Sequence, residues 1–169
     1  LEAAPSTNLE TKDLRIETCY FDGQLLAFAQ NDSTALWAVC PGLLKLTIEA
    51  NIRNGSVELG EVIDEQLTMA SLHKLFSHAT KLSSLELAGN LFKNAPDQFR
   101  RTMQFVNASR LEEIVLHVDH ATGDGILILL KKASKTLRHL DIVAEEFTGS
   151  WVSVVCWIMD NLPELTYLR

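Results

Sequence analysis

A surplus of basic charge, any long apolar stretch and clustered cysteines are all missing from this chain. Its 15 Lys and Arg stand against 22 Asp and Glu in 169 residues, a net charge of −7. A nucleic-acid module needs a basic face to meet phosphates, so that class is excluded. Apolar runs are short, as in the five residues from Ile126 to Leu130, whereas a helix needs about 18–20 to cross a bilayer. The 3 cysteines, Cys19, Cys40 and Cys156, stand far apart. No Cys-x-x-Cys occurs, which removes zinc knuckles and thioredoxin-type sites. Hydrophobic residues at 47% and charged residues at 22% match a globular chain rather than a disordered or collagen-like one. Residues 1–10 read as a linker or a ragged start.

What the chain does have is a repeat. Leu82-Ser-Ser-Leu85-Glu-Leu87-Ala-Gly-Asn90 fits the pattern L-x-x-L-x-L-x-x-N. Leu43 to Asn51 fits as well. Leu111 to Asp119 and Leu137 to Glu145 fit with an acid at the last place, Thr11 to Cys19 fits apart from its first residue, and Leu165 begins a further copy. The starts at 11, 43, 82, 111, 137 and 165 are separated by 32, 39, 29, 26 and 28 residues. A column not used to set this register checks it. Twelve residues on from the first five starts stand Gly23, Gly55, Asn94, Gly123 and Gly149. Gly and Asn are about a tenth of the chain, so five such hits arise by chance on the order of once in 10⁵. These residues accept positive φ, so a tight turn is expected after each strand. Three residues before the last five starts come Cys40, Ala79, Ala108, Ser134 and Leu162, small or apolar as a helix end beneath a strand requires.

The spacing predicts short parallel strands near 14–17, 45–48, 84–87, 113–116, 139–142 and 167–169, with helices between them. Helical patterns cover residues 23–39, a stretch holding Leu67 to Ala79, one opening at Pro96, one over 126–132 behind a Thr122 cap, and one from Trp151 to Met159. The second repeat carries about ten surplus residues, placed in a loop over 56–64. The fold class expected is α/β: a leucine-rich-repeat solenoid over residues 11–169, with a curved parallel sheet on its concave side and helices on its convex side. It comprises about five repeats and the start of a sixth. A last strand at Leu165 to Arg169 with nothing to cap it suggests a piece of a longer array.

These spacings and helical segments resemble the ribonuclease-inhibitor-like leucine-rich repeats. Tyr20-Phe-Asp-Gly23, and above all Gly149-Ser-Trp-Val-Ser-Val-Val-Cys-Trp-Ile-Met-Asp-Asn-Leu-Pro-Glu-Leu165, are similar to the repeat region of fungal F-box proteins. The resemblance implies the substrate-recruiting part of a cullin-type ubiquitin-ligase receptor. It implies a Skp1-type adaptor as partner only through an F-box outside these residues.

Catalytic readings are weak. His117-Val-Asp119-His120 is the densest ligand cluster, but on a strand His117 and Asp119 share a face while His120 points away. His139 and Asp141 beside Ser84 or Thr47 lie on an open sheet without a pocket. Gly123-Asp-Gly125 lacks the Gly-Lys-Ser/Thr of a phosphate loop. Glu112-Glu113 and Glu145-Glu146 read as solvated faces, Trp37, Trp151 and Trp157 as packing, and Cys156 as core. Neither an enzyme nor a cofactor or metal is expected. The third, fifth and seventh places of each repeat project from the concave sheet. There Val115, His117, His139, Asp141 and Val143 form an apolar spot among charges, the expected protein-binding site. Cytoplasmic or nuclear residence fits unpaired cysteines. The 3 sequons at Asn31, Asn54 and Asn107 keep open a secreted, immune-type ligand-binding domain as the alternative.

Overall fold

Alternation decides which way each strand faces. In Ser84–Gly89, Leu85 and Leu87 are buried while Ser84, Glu86 and Ala88 stay half-exposed. The same two-residue period puts Leu46 and Ile48, and then Ile114 and Leu116, on the covered side. The computed structural model describes residues 13–18, 40–50, 65–92 and 96–169. Strands β1 (Asp13–Thr18), β2 (Lys45–Ala50), β3 (Ser84–Gly89), β4 (Glu113–Thr122), β5 (His139–Thr148) and β6 (Tyr167–Leu168) form a six-stranded sheet. Its spatial order is the chain order, and every pair is parallel. Between strands lie α1 (Glu65–His78), α2 (Pro96–Phe105), α3 (Gly123–Ala133) and α4 (Trp151–Asn161). Each helix touches the next in chain order. The protein is therefore α/β, with helices covering one face of a parallel sheet and, among the described residues, none on the other face.

The core lies between the two layers. From the sheet come Leu85, Leu87, Ile114, Leu116 and Leu140; from the helices come Leu72, Phe76, Phe99, Met103, Ile126 and Leu129. Each such side chain contributes about 1.5–3 kcal/mol when fully buried. Cys40, Ala79, Ala108 and Leu162, three residues before four of the repeat starts, are buried as their size requires.

Strands β3, β4, β5 and β6 open with the same backbone device. Leu44 O accepts from the N–H groups of Ser83 and Ser84, at 2.8 and 3.0 Å. Ser83 O does the same for Glu112 and Glu113, Glu112 O for Arg138 and His139, and Arg138 O for Thr166 and Tyr167. Helix ends are fixed locally too. Thr122 Oγ1 accepts from Gly125 N at 3.1 Å and caps α3, as its place before Gly123 predicts. Lys132, in the last turn of α3, donates from Nζ to the carbonyls of Met103, Gln104 and Val106 at 3.3, 2.5 and 3.0 Å, closing the C-terminus of α2.

Several expectations change. β4 and β5 run on to Thr122 and Thr148, well past the short segments expected, because their ladder continues through His120↔Glu146 and Thr122↔Thr148. β4 leads directly into α3, so Gly123 is helical and has no positive φ. Gly149 does have one, at 120°, as does Gly89 at 90°. Cys156 is exposed rather than core, and Trp151 is partly exposed with its ring stacked on Phe147 at 4.0 Å. The cause is position. Val152, Val155 and Met159 of α4 occupy the repeat places of Ile126, Leu129 and Ala133 in α3. The α3 residues are 0% exposed, but Met159 is 78% exposed, since no further helix lies beyond α4 among the described residues. The helix expected over 23–39, the loop over 56–64, the turns at Gly23, Gly55 and Asn94, and Cys19, Asn31, Trp37 and Asn54 lie outside the described residues. Among the described residues no helix is long and apolar enough to cross a membrane.

Candidate docking face

The strands align without offset, so side chains on the open face fall into rows. Asp13, Lys45, Ser84, Glu113, His139 and Tyr167 make one row, and Arg15, Thr47, Glu86, Val115 and Asp141 the next. Glu49, Ala88, His117 and Val143 make a third. These are the third, fifth and seventh places of the sequence repeat. Neighbours in a row stand about 4.8 Å apart, close enough to bond sideways. Thr47 Oγ1 donates to Glu86 at 3.2 Å and Ser84 Oγ to Glu113 at 2.6 Å, while Arg15 reaches diagonally to Glu49 at 3.4 Å. Ser84 is thus committed to Glu113, which also stands between it and His139, and these residues form no hydrolase triad.

The five residues singled out from sequence come together toward the β4–β6 end. Val115 pairs with Asp141 and His117 with Val143 across β4 and β5. Val143 is 42% exposed, Val115 and His139 are partly exposed, and His139 stacks on Tyr167 at 4.2 Å. Asp141 differs from the others in being only 7% exposed. His117 Nε2 lies 3.1 Å from its Oδ1, and the Arg169 guanidinium lies 3.5 Å from its Oδ2. Asp141 therefore organises this patch from within, with the His117 ring on one side and the Arg169 guanidinium on the other. The His117 ring is within ion-pair distance but not aligned for a hydrogen bond, which leaves His117 Nε2 and Asp141 Oδ1 buried without one.

Above this patch lies a cleft of about 420 Å³, lined by Asn90, His117, Asp119, Val143, Glu145 and Arg169 among others. Asp119 is 8% exposed. Its Oδ1 accepts from Phe92 N at 3.2 Å, tying the ninth place of one repeat to the backbone of the previous one. Its Oδ2 has no hydrogen bond. Burial pushes the Asp119 carboxyl above the usual range; the amides of Phe92, Asp119 and His120 and the His120 charge oppose this. His120, on the other side of the strand, sits 3.4 Å from Glu146 and 3.3 Å from Thr148 Oγ1. The cluster His117-Asp119-His120 is thereby split between the two faces, and no group able to hold a metal occurs among the described residues.

Sequence reasoning placed Tyr167 and Arg169 in the rows without seeing them as partners of His139 and Asp141, and missed the role of Asp119. The signal for Asp119 was its acid at the ninth, asparagine place. A second cleft, of about 510 Å³, lies where α2, α3 and α4 begin, among Asp97, Arg100, Thr122, Asp124 and Ser150. There Thr122 and Ser150 spend their hydroxyls on helix caps. No family model, curated protein or solved structure matches this chain.

Proposed function

We propose that the chain is a protein-binding module, a leucine-rich-repeat solenoid of the ribonuclease-inhibitor type that docks a partner on its open sheet face. The observation that carries this reading is the row alignment. It sets Val115, His117, His139, Asp141 and Val143 beside Tyr167 and Arg169 on a surface that no helix among the described residues covers. The identical two-donor bond at four successive strand openings supports the solenoid. Mixed apolar, aromatic and charged side chains around partly exposed rings are the make-up of a protein interface. The biological role that fits is substrate recruitment within an F-box-type ubiquitin-ligase receptor, acting on a cytoplasmic or nuclear partner. Free thiols at Cys40 and Cys156 agree with a reducing compartment.

The test removes the ring pair with His139→Ala and Tyr167→Ala together. Partners captured from a native extract are identified, one is purified, and its affinity for each form is measured by calorimetry. Weakening by about tenfold or more at an unchanged urea midpoint is expected. Affinity within twofold of the parent would place the interface elsewhere.

A further inference from the structure

Helix α4 turns an apolar stripe outward. Val152, Val155, Cys156 and Met159 are all exposed, Val152 to 71%. They fall within about 100° of the helix circumference, the width of a stripe that normally faces a core. The opposite side of α4, through Val154 and Ile158, is already buried in the core. One unit back, the same places on α3 hold Ile126, Leu129, Leu130 and Ala133, and all four are buried where α3 meets α4. The stripe therefore continues an interface that the protein already makes between neighbouring helices.

Trp151, stacked on Phe147, flanks the stripe. Leu168, in register with buried Leu140, adds a half-exposed side chain from β6. Together these residues leave about 500 Å² of apolar surface on one copy of the chain. A pair of copies covers about 1,000 Å², the area at which specific interfaces begin. The stripe is also matched to itself. Its intervals are three, one and three residues, so it reads the same from either end. Laid antiparallel about a point between Val155 and Cys156, Val152 of one copy meets Met159 of the other, and the two Cys156 meet at the centre. Charge favours that direction. Asp160 is the one charged residue of α4. A parallel pair sets the two Asp160 carboxylates side by side, whereas the antiparallel pair separates them by about 13 Å along the axis, beyond a Debye length of about 8 Å.

We infer that two copies of this chain pair through α4, antiparallel about a two-fold axis between Val155 and Cys156. Such an interface closes at two copies, whereas a head-to-tail contact builds a filament. It lies in the helix layer and leaves the open sheet face free in both copies. It is therefore independent of the docking reading, which stands or falls on the removal of His139 and Tyr167.

Sedimentation equilibrium of the whole chain over about 1–200 µM should show monomer and dimer, nothing larger, with a Kd on the order of 10 µM. Met159→Glu and, separately, Val152→Glu should each weaken pairing about tenfold or more, because each places a charge within the covered stripe. Both side chains are exposed in the single copy, so the urea midpoint should hold at concentrations where the parent is monomeric. Asp160→Asn should change the Kd less than about twofold. A short bis-maleimide should join two copies through Cys156, since Cys40 is buried. A monomer across the whole range, pairing undiminished in both glutamate variants, or no cross-link through Cys156 would overturn the inference. A several-fold tighter dimer in Asp160→Asn would also overturn it, by placing the two carboxylates side by side.

Discussion

Replacing Lys132 by Met tests whether neighbouring units are joined by specific polar contacts as well as by their shared core. Met keeps the apolar stem and deletes the ammonium. The three carbonyls that Nζ now serves, at Met103, Gln104 and Val106, belong to the end of α2, where the helix itself supplies no donors. The Gln104 bond is exposed, so water replaces it at little cost. The Met103 and Val106 bonds are part-buried, and losing them costs about 1 kcal/mol each. Removing a cation from a helix C-terminus adds about 0.3–1 kcal/mol. Against this, burial lowers the Lys132 pKa, the sign of a desolvation cost that the variant no longer bears. The net expectation is a loss of about 2 kcal/mol. With a urea m-value of about 2 kcal/mol/M, the midpoint should fall by about 1 M. Hydrogen exchange should show the lost protection concentrated in α2, on the preceding unit, rather than in α3 where the substitution sits. A midpoint within about 0.2 M of the parent, or a loss confined to α3, would refute the reasoning.

Gly149→Val should destabilise by about 1–3 kcal/mol, because φ there is +120° and a Cβ would meet Gly123 N at 3.4 Å; an unchanged thermal midpoint would contradict the turn. For Asp119 the sign follows from its raised pKa. Between the ordinary carboxylate value and the higher folded one, the native state holds more protons than the unfolded state, so stability falls as pH rises through that window. Urea midpoints measured from pH 4 upward should show this fall, and Asp119→Asn should lose that part of the slope; an identical slope in the variant would show that burial does not perturb the group.

The sheet was legible because leucine spacing encodes it twice. The places that carry Leu85, Leu87, Ile114 and Leu116 declare the buried face, and the same spacing within every copy sets the rows although the copies differ in length. Burial of Ala79 and Ala108 followed from the same register. Features resting on contacts between repeats were not legible. Asp141 looks like any exposed row member until Arg169 and His117 close on it from the two neighbouring strands. Cys156 sits in an apolar stretch that spells core, and its exposure depends on what lies beyond α4. Gly123 satisfied the turn column, yet Thr122 makes it the first residue of a helix. In these cases contacts outside the leucine pattern decided the outcome, and the expectations for Cys156 and Gly123 failed.

Alignment without offset also gives the open face the properties of a ruler. Its graduations are the strands, about 4.8 Å apart. A partner helix laid across them advances about 5.4 Å per turn, slips about 0.6 Å per strand, and is half a graduation out of step after four. An extended partner advances about 3.3 Å per residue, so three residues span about 9.9 Å against about 9.6 Å for two strands. It stays in step across the full width of six strands. A segment that uses the whole face should therefore be extended, with its contact residues six apart, one for every four strand spacings, because side chains three apart on an extended chain point to opposite sides.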